Sequence, residues 1–216
     1  MQKALLSVCL ITYKQEEYIQ KAIENVFNQE VNFHIEFVIS NDCSPDNTHE
    51  KIENAIKIAP ENFTIKYFNH EKNLGPLANF SFAINQCQGK YIAYFEGDDY
   101  WDYPKKLQTQ VDFLEQNPEF AICCHNVRFL EKGKIIDKIY LDKIDIKSES
   151  TIEDLARHNT VPTLTAVFRN IKEKLPSWIL KSPLGDLPMF IILSKHGKFN
   201  FITKKWELYP KNIGEL

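Results

Sequence analysis

The sequence YIAYFEGDDYWDYPKKLQTQVDFLEQNPE, residues 91–119, places a short apolar run, an acidic turn and an amphipathic segment one after another. The run from Tyr91 to Phe95 is continuous and apolar, as in a strand that is covered on both faces of a sheet. Pro104 can occupy the first turn of the following helix, where a backbone N–H has no intrahelical partner. Asn117-Pro118 then ends that helix. This order predicts a strand–loop–helix unit of an α/β protein.

The same alternation continues on both sides of this segment. Strands are predicted at residues 5–12, 34–40, 63–68, 91–95 and 120–124, and helices at 15–28, 46–59, 77–87 and 104–116. We expect the first three strands to wind outward and the fourth to return beside the first, with right-handed crossovers. The predicted fold is therefore α/β, with a Rossmann-like, open, mixed but mostly parallel sheet flanked by helices.

Beyond residue 125 the pattern is less regular. A stretch over 127–150, rich in Lys, Asp and Ile, is typical of an edge hairpin or a flap. Strands are expected at 163–169, 199–202 and 205–209, and helices from Thr151 and at 187–196. No repeat, low-complexity tract or linker interrupts the sequence, so we expect a single domain over residues 1–216.

The composition excludes several classes of protein. The 216 residues are 44% hydrophobic and 25% charged, as in soluble globular chains, and the net charge of -3 provides no basic field for nucleic acid. Only three of the 26 basic residues are arginines, so a metal ion or lysines would have to neutralise a bound phosphate. Neither a GxGxxG motif nor a P-loop occurs, which disfavours dinucleotide and Walker-type sites.

The sequence also contains no apolar run long enough to cross a membrane and no zinc-type spacing of its cysteines. We therefore expect a cytoplasmic protein with reduced cysteines, no transmembrane segment and no nucleic-acid partner.

Polar residues follow three of the predicted strands. In an open α/β sheet, ligands bind beyond the carboxyl ends of the strands, where the winding direction reverses. Thr12, Asp42 and the acidic turn 96–99 are therefore expected to share one crevice. Asp42 could accept hydrogen bonds from a base or a ribose, whereas the alternative is a loop over 41–48 that only caps the next helix.

The acidic turn carries Glu96, Asp98 and Asp99 around Gly97, a residue that permits a turn and a close approach by a ligand. Three carboxylates in one turn repel one another unless a cation shares them. Hard oxygen ligands suit Mg²⁺ or Mn²⁺ bound together with a phosphate substrate. The alternative is a solvated acidic turn without a metal.

Asp186 stands at the start of a predicted helix, in the sequence Gly185-Asp186-Leu187-Pro188. It is an obvious N-cap, and at the edge of a cleft it could also act as a general base. His125 is interpreted as a satisfied histidine, buried or at a strand end. Tyr100, Trp101 and Trp178 either stack on a sugar ring or fill the core.

Four segments in a fixed order, SVCLITYKQEEYIQKAIENVFNQ, EFVISNDCSPDNT, NLGPLANF and YIAYFEGDDYWDYPKKLQTQVDFLEQNPE, resemble the family 2 glycosyltransferases with the GT-A fold. The similarity is greatest to bacterial enzymes that build surface polysaccharides. It is strong from about Ser7 to His125 and continues weakly to Tyr209. The resemblance implies a GT-A domain in which residues 1–125 bind the nucleotide sugar and residues 126–216 face the acceptor.

The resemblance also implies roles for particular residues of this chain. By position, the nucleotide would be held by Thr12, Glu16, Asp42, Asn73 and Gly75; the metal by Asp98; the ribose, metal or donor sugar by Glu96 and Asp99; and Asp186 would be the catalytic base. Glu96 stands where the family usually has Asp.

The implied activity is inverting, metal-assisted transfer of a sugar from a nucleotide-diphosphate sugar, with UDP-sugars the first expectation and Mn²⁺ or Mg²⁺ as cofactor. The acceptor would be a saccharide or a lipid-linked molecule. Peripheral association with the inner face of the membrane would suit a lipid-linked acceptor.

The C-terminal sequence departs from the family pattern, and this keeps a second hypothesis open. Pro210 and Asn212 replace the Arg and His of a Tyr-Arg-x-His-like segment. The chain could then be a weak or inactive nucleotide-sugar-binding subunit that needs a partner, a longer C-terminus, or Lys205 or Lys211 for the diphosphate. A receiver-like signalling module is disfavoured because no acidic pair follows the first strand. A nucleotidyltransferase is disfavoured because no basic glycine-rich loop does.

Overall fold

The computed structural model describes residues 3–99, 101, 103–131, 134–139, 148–157, 161–173, 175–183, 185–202 and 210–212. Strands and helices alternate through the first 125 residues. The strands are β1 Leu6–Thr12, β2 Ile35–Asn41, β3 Phe63–Asn69, β4 Tyr91–Glu96 and β5 Phe120–His125. The helices are α1 Ile19–Phe27, α2 Thr48–Ala55, α3 Pro76–Gln86 and α4 Lys106–Gln116, and a 3₁₀ turn over Ile56–Ile58 follows α2.

The later elements are shorter. They are β6 Arg128–Glu131, β7 Lys134–Ile139, β8 Glu149–Ser150, α5 Ile152–Arg157, β9 Val167–Arg169, α6 Leu187–Leu193, β10 Lys198–Ile202 and β11 Pro210–Asn212, with 3₁₀ turns at Thr163–Thr165 and Ser177–Lys181. Strands β6 and β7 pair antiparallel, as in the predicted edge hairpin, and β11 joins β6 in a separate small sheet. The strand predicted at 205–209 lies outside the described residues.

The main sheet has the strand order β3-β2-β1-β4-β9-β5-β10-β8. The outward winding of β1 to β3 and the return of β4 beside β1 confirm the predicted topology. Neighbouring strands are parallel except at β9, which lies antiparallel between β4 and β5, and at β8, which is antiparallel to β10. The mixed, mostly parallel α/β sheet is thus confirmed.

The chain from 163 to 169 differs from the prediction of one continuous strand. Residues 163–165 form a 3₁₀ turn, and only Val167–Arg169 pairs with the sheet. Arg169 fastens this short strand, because its guanidinium donates to the carbonyls of Phe120, Leu114 and Asn117 and to the Tyr91 hydroxyl. The Arg169 guanidinium therefore has a structural role, because it joins β9 to the end of α4 and the start of β5.

Apolar layers cover both faces of the sheet. Leu6, Val8 and Leu10 of β1 pack towards α1, α2 and α4, and Cys9 of the same strand packs towards α3 and α6. This alternation places α3 and α6 on one face, with their first turns near the carboxyl ends of the parallel strands. All five cysteines are free thiols. Within the described part of the chain, no helix is both long and apolar enough to span a bilayer.

Candidate active site

A cavity of about 540 Å³ opens at the carboxyl ends of β1, β2 and β4. Parallel strands end on the same side of a sheet, which brings their following loops together. The lining residues come from the ends of these strands and the loops after them, from the loop after β3, from α3, from the start of α6 and from the 3₁₀ turn before β9: Ile11, Thr12, Tyr13, Gln15, Asp42, Asn73, Pro76, Leu77, Asn79, Phe80, Tyr94, Glu96, Thr163, Gly185 and Asp186.

Five of the nine site residues predicted from the sequence meet in this cavity: Thr12, Asp42, Asn73, Glu96 and Asp186. The other four, Glu16, Gly75, Asp98 and Asp99, are all described by the structure and lie outside its lining. The sequence did not single out Gln15, Tyr94 or Thr163 as site residues.

Glu96, Asp98 and Asp99 form the acidic cluster. A carboxylate oxygen of each lies within 4.8 Å of the other two, although Asp99 is only 3% exposed. The Asp99 N–H donates to the Glu96 carbonyl at 3.0 Å, which closes the turn. Oδ1 of Asp98 is buried and accepts no hydrogen bond from the described residues. Clustered, partly desolvated anions with a free acceptor are the donor set that a divalent cation stabilises.

Tyr94 supports the acidic cluster from the strand beneath it. Its hydroxyl lies 3.3 Å from Oε1 of Glu96 and donates to that carboxylate. Burial, together with the negative charges of Glu96 and Asp99, raises the pKa of Tyr94 well above its ordinary value. The phenol therefore keeps its proton and remains a donor to Glu96 at neutral pH.

Gly97 lets the acidic turn pack against the loop after β1. A Cβ at this position would lie 2.6 Å from Oγ1 of Thr12 and would also collide with Oε1 of Gln15. Thr12 Oγ1 donates to Gln15 Oε1 at 2.7 Å, and the Gly97 N–H donates to the Ile11 carbonyl at 3.0 Å. The close approach that the sequence assigned to a ligand is thus made by the chain itself. The helix predicted from residue 15 begins only at Ile19, after a turn in which the N–H groups of Tyr18 and Ile19 donate to the Gln15 carbonyl.

Asp42, which is 2% exposed, organises the next loop. Its Oδ1 accepts from the Leu74 N–H at 2.7 Å and its Oδ2 from the Gly75 N–H at 2.9 Å. Asn73 donates to the Asp42 carbonyl at 3.2 Å. Gly75 has φ +85°, a conformation that favours glycine, and Pro76 opens α3 directly after it. Each Asp42 oxygen still has a lone pair for a ligand, because an ionised carboxylate has about four acceptor positions.

Glu16 connects the first two loops at the side of the cavity. Its Oε2 accepts from the Asn47 N–H at 3.0 Å, and Asp46 accepts from the Glu16 N–H at 3.3 Å. Lys51 donates to the Glu16 carbonyl at 2.7 Å. Asp46 also accepts from the N–H and hydroxyl of Thr48 at the start of α2. Asp46 directly precedes Asn47, the N-cap of α2, and its carboxylate holds the first helical residue, Thr48, while Glu16 braces the cavity from outside.

Asp186 is the N-cap of α6 and also faces the cavity. Its Oδ1 accepts from the Leu187 N–H at 2.7 Å, and its Oδ2 accepts from the hydroxyl of Thr163. The capping role expected from the sequence is present, and it leaves the carboxylate at the edge of the cleft.

The aromatic residues divide between core and surface. Trp101 is 4% exposed and packs on Phe95 with 4.4 Å between ring centroids, so it fills the core. Trp178 is 52% exposed and stays available to a ligand. Tyr100 lies outside the described residues. His125 is buried at the end of β5, with Nδ1 2.9 Å from the Asn126 carbonyl, and burial lowers its pKa to about 3. It is a neutral strand-end histidine, as interpreted from the sequence.

A sequence model described as "Glycosyl transferase family 2" matches residues 7–175. TuaG of Bacillus subtilis, provisionally named a teichuronic acid biosynthesis glycosyltransferase, is 28% identical over 77% of this chain. Two solved structures share the fold: S. aureus TarS in complex with UDP (TM-score 0.71, 19% identity, 93% of this chain) and a Pyrobaculum calidifontis mannosyltransferase with GDP-Man and Mn²⁺ (TM-score 0.70, 13% identity, 94%).

The chain spans 62% of TuaG, 58% of the TarS chain and 56% of the mannosyltransferase chain. The family match nevertheless covers most of the sequence, including the β1 loop, the Asp42 loop and the acidic cluster. The chain belongs to glycosyl transferase family 2 and has the GT-A fold.

Proposed function

We propose that this protein transfers a sugar from a nucleotide-diphosphate sugar, with UDP-sugars the first candidates, to a saccharide or lipid-linked acceptor in bacterial surface polysaccharide synthesis. The observation that carries this proposal is that one cavity has both Glu96 of the acidic cluster and Asp186 among its lining residues. A transferase needs a site for the leaving nucleotide and a base for the acceptor within one enclosed space. The UDP in TarS and the GDP-Man in the mannosyltransferase agree with this donor class.

The nucleotide would occupy the part of the cavity formed by the loops after β1, β2 and β3. Thr12, Asp42 and Asn73 provide polar groups on its wall. Glu16 and Gly75 act from behind this wall, because their contacts hold the first three loops together. Preformed loops of this kind lower the entropic cost of binding a flexible diphosphate.

Asp98, with Glu96 and Asp99 beside it, would hold Mn²⁺ or Mg²⁺. The close carboxylates and the free, buried Oδ1 of Asp98 fit a hard divalent ion, and the related mannosyltransferase structure contains Mn²⁺. When bound, such an ion supplies positive charge that stabilises the departing diphosphate. The ion that Asp98 and its neighbours would hold would thus supply positive charge that this arginine-poor chain provides with few guanidinium groups.

Asp186 would act as the general base. The acceptor hydroxyl would lie against its carboxylate and transfer its proton as the oxygen attacks the anomeric carbon. Attack from the side opposite the leaving group inverts the anomeric configuration. The two donors to Asp186 hold its carboxylate in one orientation for this step.

The departure of the C-terminal sequence from the family pattern favours one other function. Pro210 and Asn212 lie in β11, beside β6, where the pattern has Arg and His. A nucleotide-sugar-binding subunit with little or no turnover would bind donor normally. Replacing Asp186 with Asn would then leave its role unchanged.

Calorimetric titration with UDP, with GDP and CMP as controls, tests the donor site. Each titration is repeated with Mn²⁺, with Mg²⁺ and with EDTA. Asp98→Asn removes one carboxylate charge from the acidic cluster, and Asp112→Asn removes one from an exposed position of α4 as a matched control. We expect metal-dependent binding of one nucleotide that Asp98→Asn weakens and Asp112→Asn preserves. If no nucleotide binds under any of these conditions, the transferase proposal loses its physical basis.

A further inference from the structure

We propose that Thr163 is a positioning residue for Asp186, because its hydroxyl determines which carboxylate lone pair faces the acceptor. The inference rests on the proposed role of Asp186 as general base and adds to it a residue that the sequence did not mark.

The hydrogen bond between the two side chains can have only one direction. An ionised carboxylate can only accept, so the Thr163 hydroxyl donates to Oδ2 of Asp186. The Leu187 N–H donates to the other oxygen, Oδ1, at 2.7 Å. With one donor on each oxygen, the carboxylate cannot rotate without losing a hydrogen bond. Each oxygen keeps a second lone pair, and Asp186 and Thr163 both line the cavity where an acceptor hydroxyl would come.

Buried side chains hold the backbone that directly follows Thr163. Trp101 donates through Nε1 to the Leu164 carbonyl at 2.8 Å. Gln110 and Lys106 of α4 donate to the Thr165 carbonyl at 2.9 Å and 3.3 Å. Residues 161–168 are otherwise buried, and Thr163 alone among them is half-buried and reaches the cavity. The Thr163 hydroxyl is therefore presented from a fixed support, as a positioning group requires.

This position bears on the step in which the acceptor is deprotonated. The acceptor oxygen forms a bond to the anomeric carbon, and its proton passes to the Asp186 carboxylate. The bond between the anomeric carbon and the diphosphate oxygen breaks, with its electron pair remaining on the diphosphate. Because proton transfer needs a short, aligned contact, a carboxylate free to rotate would slow turnover more than it would weaken donor binding.

The test compares substitutions of Thr163 with a matched control. Thr163→Val keeps the shape and removes the hydroxyl, Thr163→Ser keeps the hydroxyl, and Thr163→Ala removes the hydroxyl without adding a methyl group, should the valine variant fold poorly. Thr109→Val makes the same chemical change at a half-buried position of α4 outside the cavity lining, where the hydroxyl donates to the Lys105 carbonyl. Asp186→Asn is assayed beside them.

We expect Thr163→Val to lower kcat about tenfold or more, where each tenfold corresponds to about 1.4 kcal/mol. The donor KM and the dissociation constant for UDP should stay within about twofold of wild type, since only the reacting oxygen is mispositioned. Thr163→Ser should recover most of kcat, and Thr109→Val should match wild type. This split between kcat and KM, with rescue by serine, is not expected from a purely structural contact.

Two results would overturn the inference while the proposed function stands. One is an unchanged kcat in Thr163→Val and Thr163→Ala beside a large loss in Asp186→Asn. The other is an equal loss in the valine and serine variants that follows a lowered unfolding midpoint. If the wild-type protein transfers sugar from none of the donors whose nucleotide it binds, the proposed function fails, and this inference fails with it. The wild-type assay therefore separates the two failures.

Discussion

Replacing the buried Lys106 with methionine should change how the free energy of unfolding depends on pH. Lys106 is 1% exposed. Its Nζ lies 2.7 Å from Gln110 Oε1 and 4.3 Å from the centroid of the Trp101 ring. These partners are neutral. Burial therefore lowers the pKa of Lys106 from 10.5 to about 7.

The sign of the effect follows from where the proton is bound. In the unfolded chain Lys106 holds its proton up to about pH 10.5, whereas the folded chain releases it near pH 7. The unfolded state therefore binds more protons between these pH values, and the wild type gains stability as the pH rises through 7. The full slope of roughly 1.4 kcal/mol per pH unit applies only above the folded pKa, so the gain from pH 6 to pH 9 is about 3 kcal/mol. Methionine has no proton to release, so the free energy of unfolding of Lys106→Met should not show this gain.

Urea unfolding of the wild type, Lys106→Met and Lys105→Met across this pH range measures the difference. Lys105 is the adjacent lysine, but its side chain is 62% exposed, and its substitution should produce no pH-dependent change. The nearby His125, with a pKa of about 3, and Cys123, with a pKa of about 12, do not titrate in this range. Curves for the wild type and Lys106→Met that stay parallel from pH 6 to pH 9 would refute the assignment of a neutralised buried lysine.

Three further substitutions test the site and the fold. Asp186→Asn should keep the helix cap, because Asn is also a good N-cap, while the rate of transfer falls by about 10² to 10⁴ with UDP affinity unchanged. If Asp186→Asn turns over at the wild-type rate, Asp186 is only a helix cap. Asp42→Ala should weaken UDP binding and spare Mn²⁺ binding, because it releases the N–H groups of Leu74 and Gly75. Titrations showing the reverse pattern would mean that the Asp42 loop and the acidic turn 96–99 have exchanged roles. Arg169→Lys should lower the free energy of unfolding by about 2 to 4 kcal/mol, because lysine cannot reproduce a guanidinium that reaches four acceptors; an unchanged urea midpoint would contradict this.

The first five strands, and the order of the first four in the sheet, could be predicted because their signals are local. A parallel strand covered on both faces needs a short continuous apolar run, and β1, β2, β4 and β5 each have one. Residues that follow such runs must lie at the same edge of the sheet. This rule alone predicts that Thr12, Asp42 and Glu96 surround one crevice.

The contacts that complete the site join residues far apart in the chain, and no local sequence pattern predicts them. Thr163 meets Asp186 across 23 residues, and Lys106 meets the Thr165 carbonyl across 59. Strand β9 has only three residues and enters the sheet antiparallel, so its place depends on Arg169 and on the strands beside it. Periodicity carries little information over so short a segment.

The burial of Lys106 is likewise decided by tertiary packing and could not be predicted from the local sequence. Its surroundings in the sequence, PKKLQTQ, are typical of the exposed first turn of a helix, and Lys105 and Lys106 cannot be told apart there. Residue order alone was sufficient for the apolar runs, the winding of β1 to β4 and the acidic turn, because these follow from which side chains leave water. Packing in three dimensions decided which lysine is buried, which hydroxyl faces Asp186 and which loop Asp42 holds, because each depends on groups that meet only after the chain has folded.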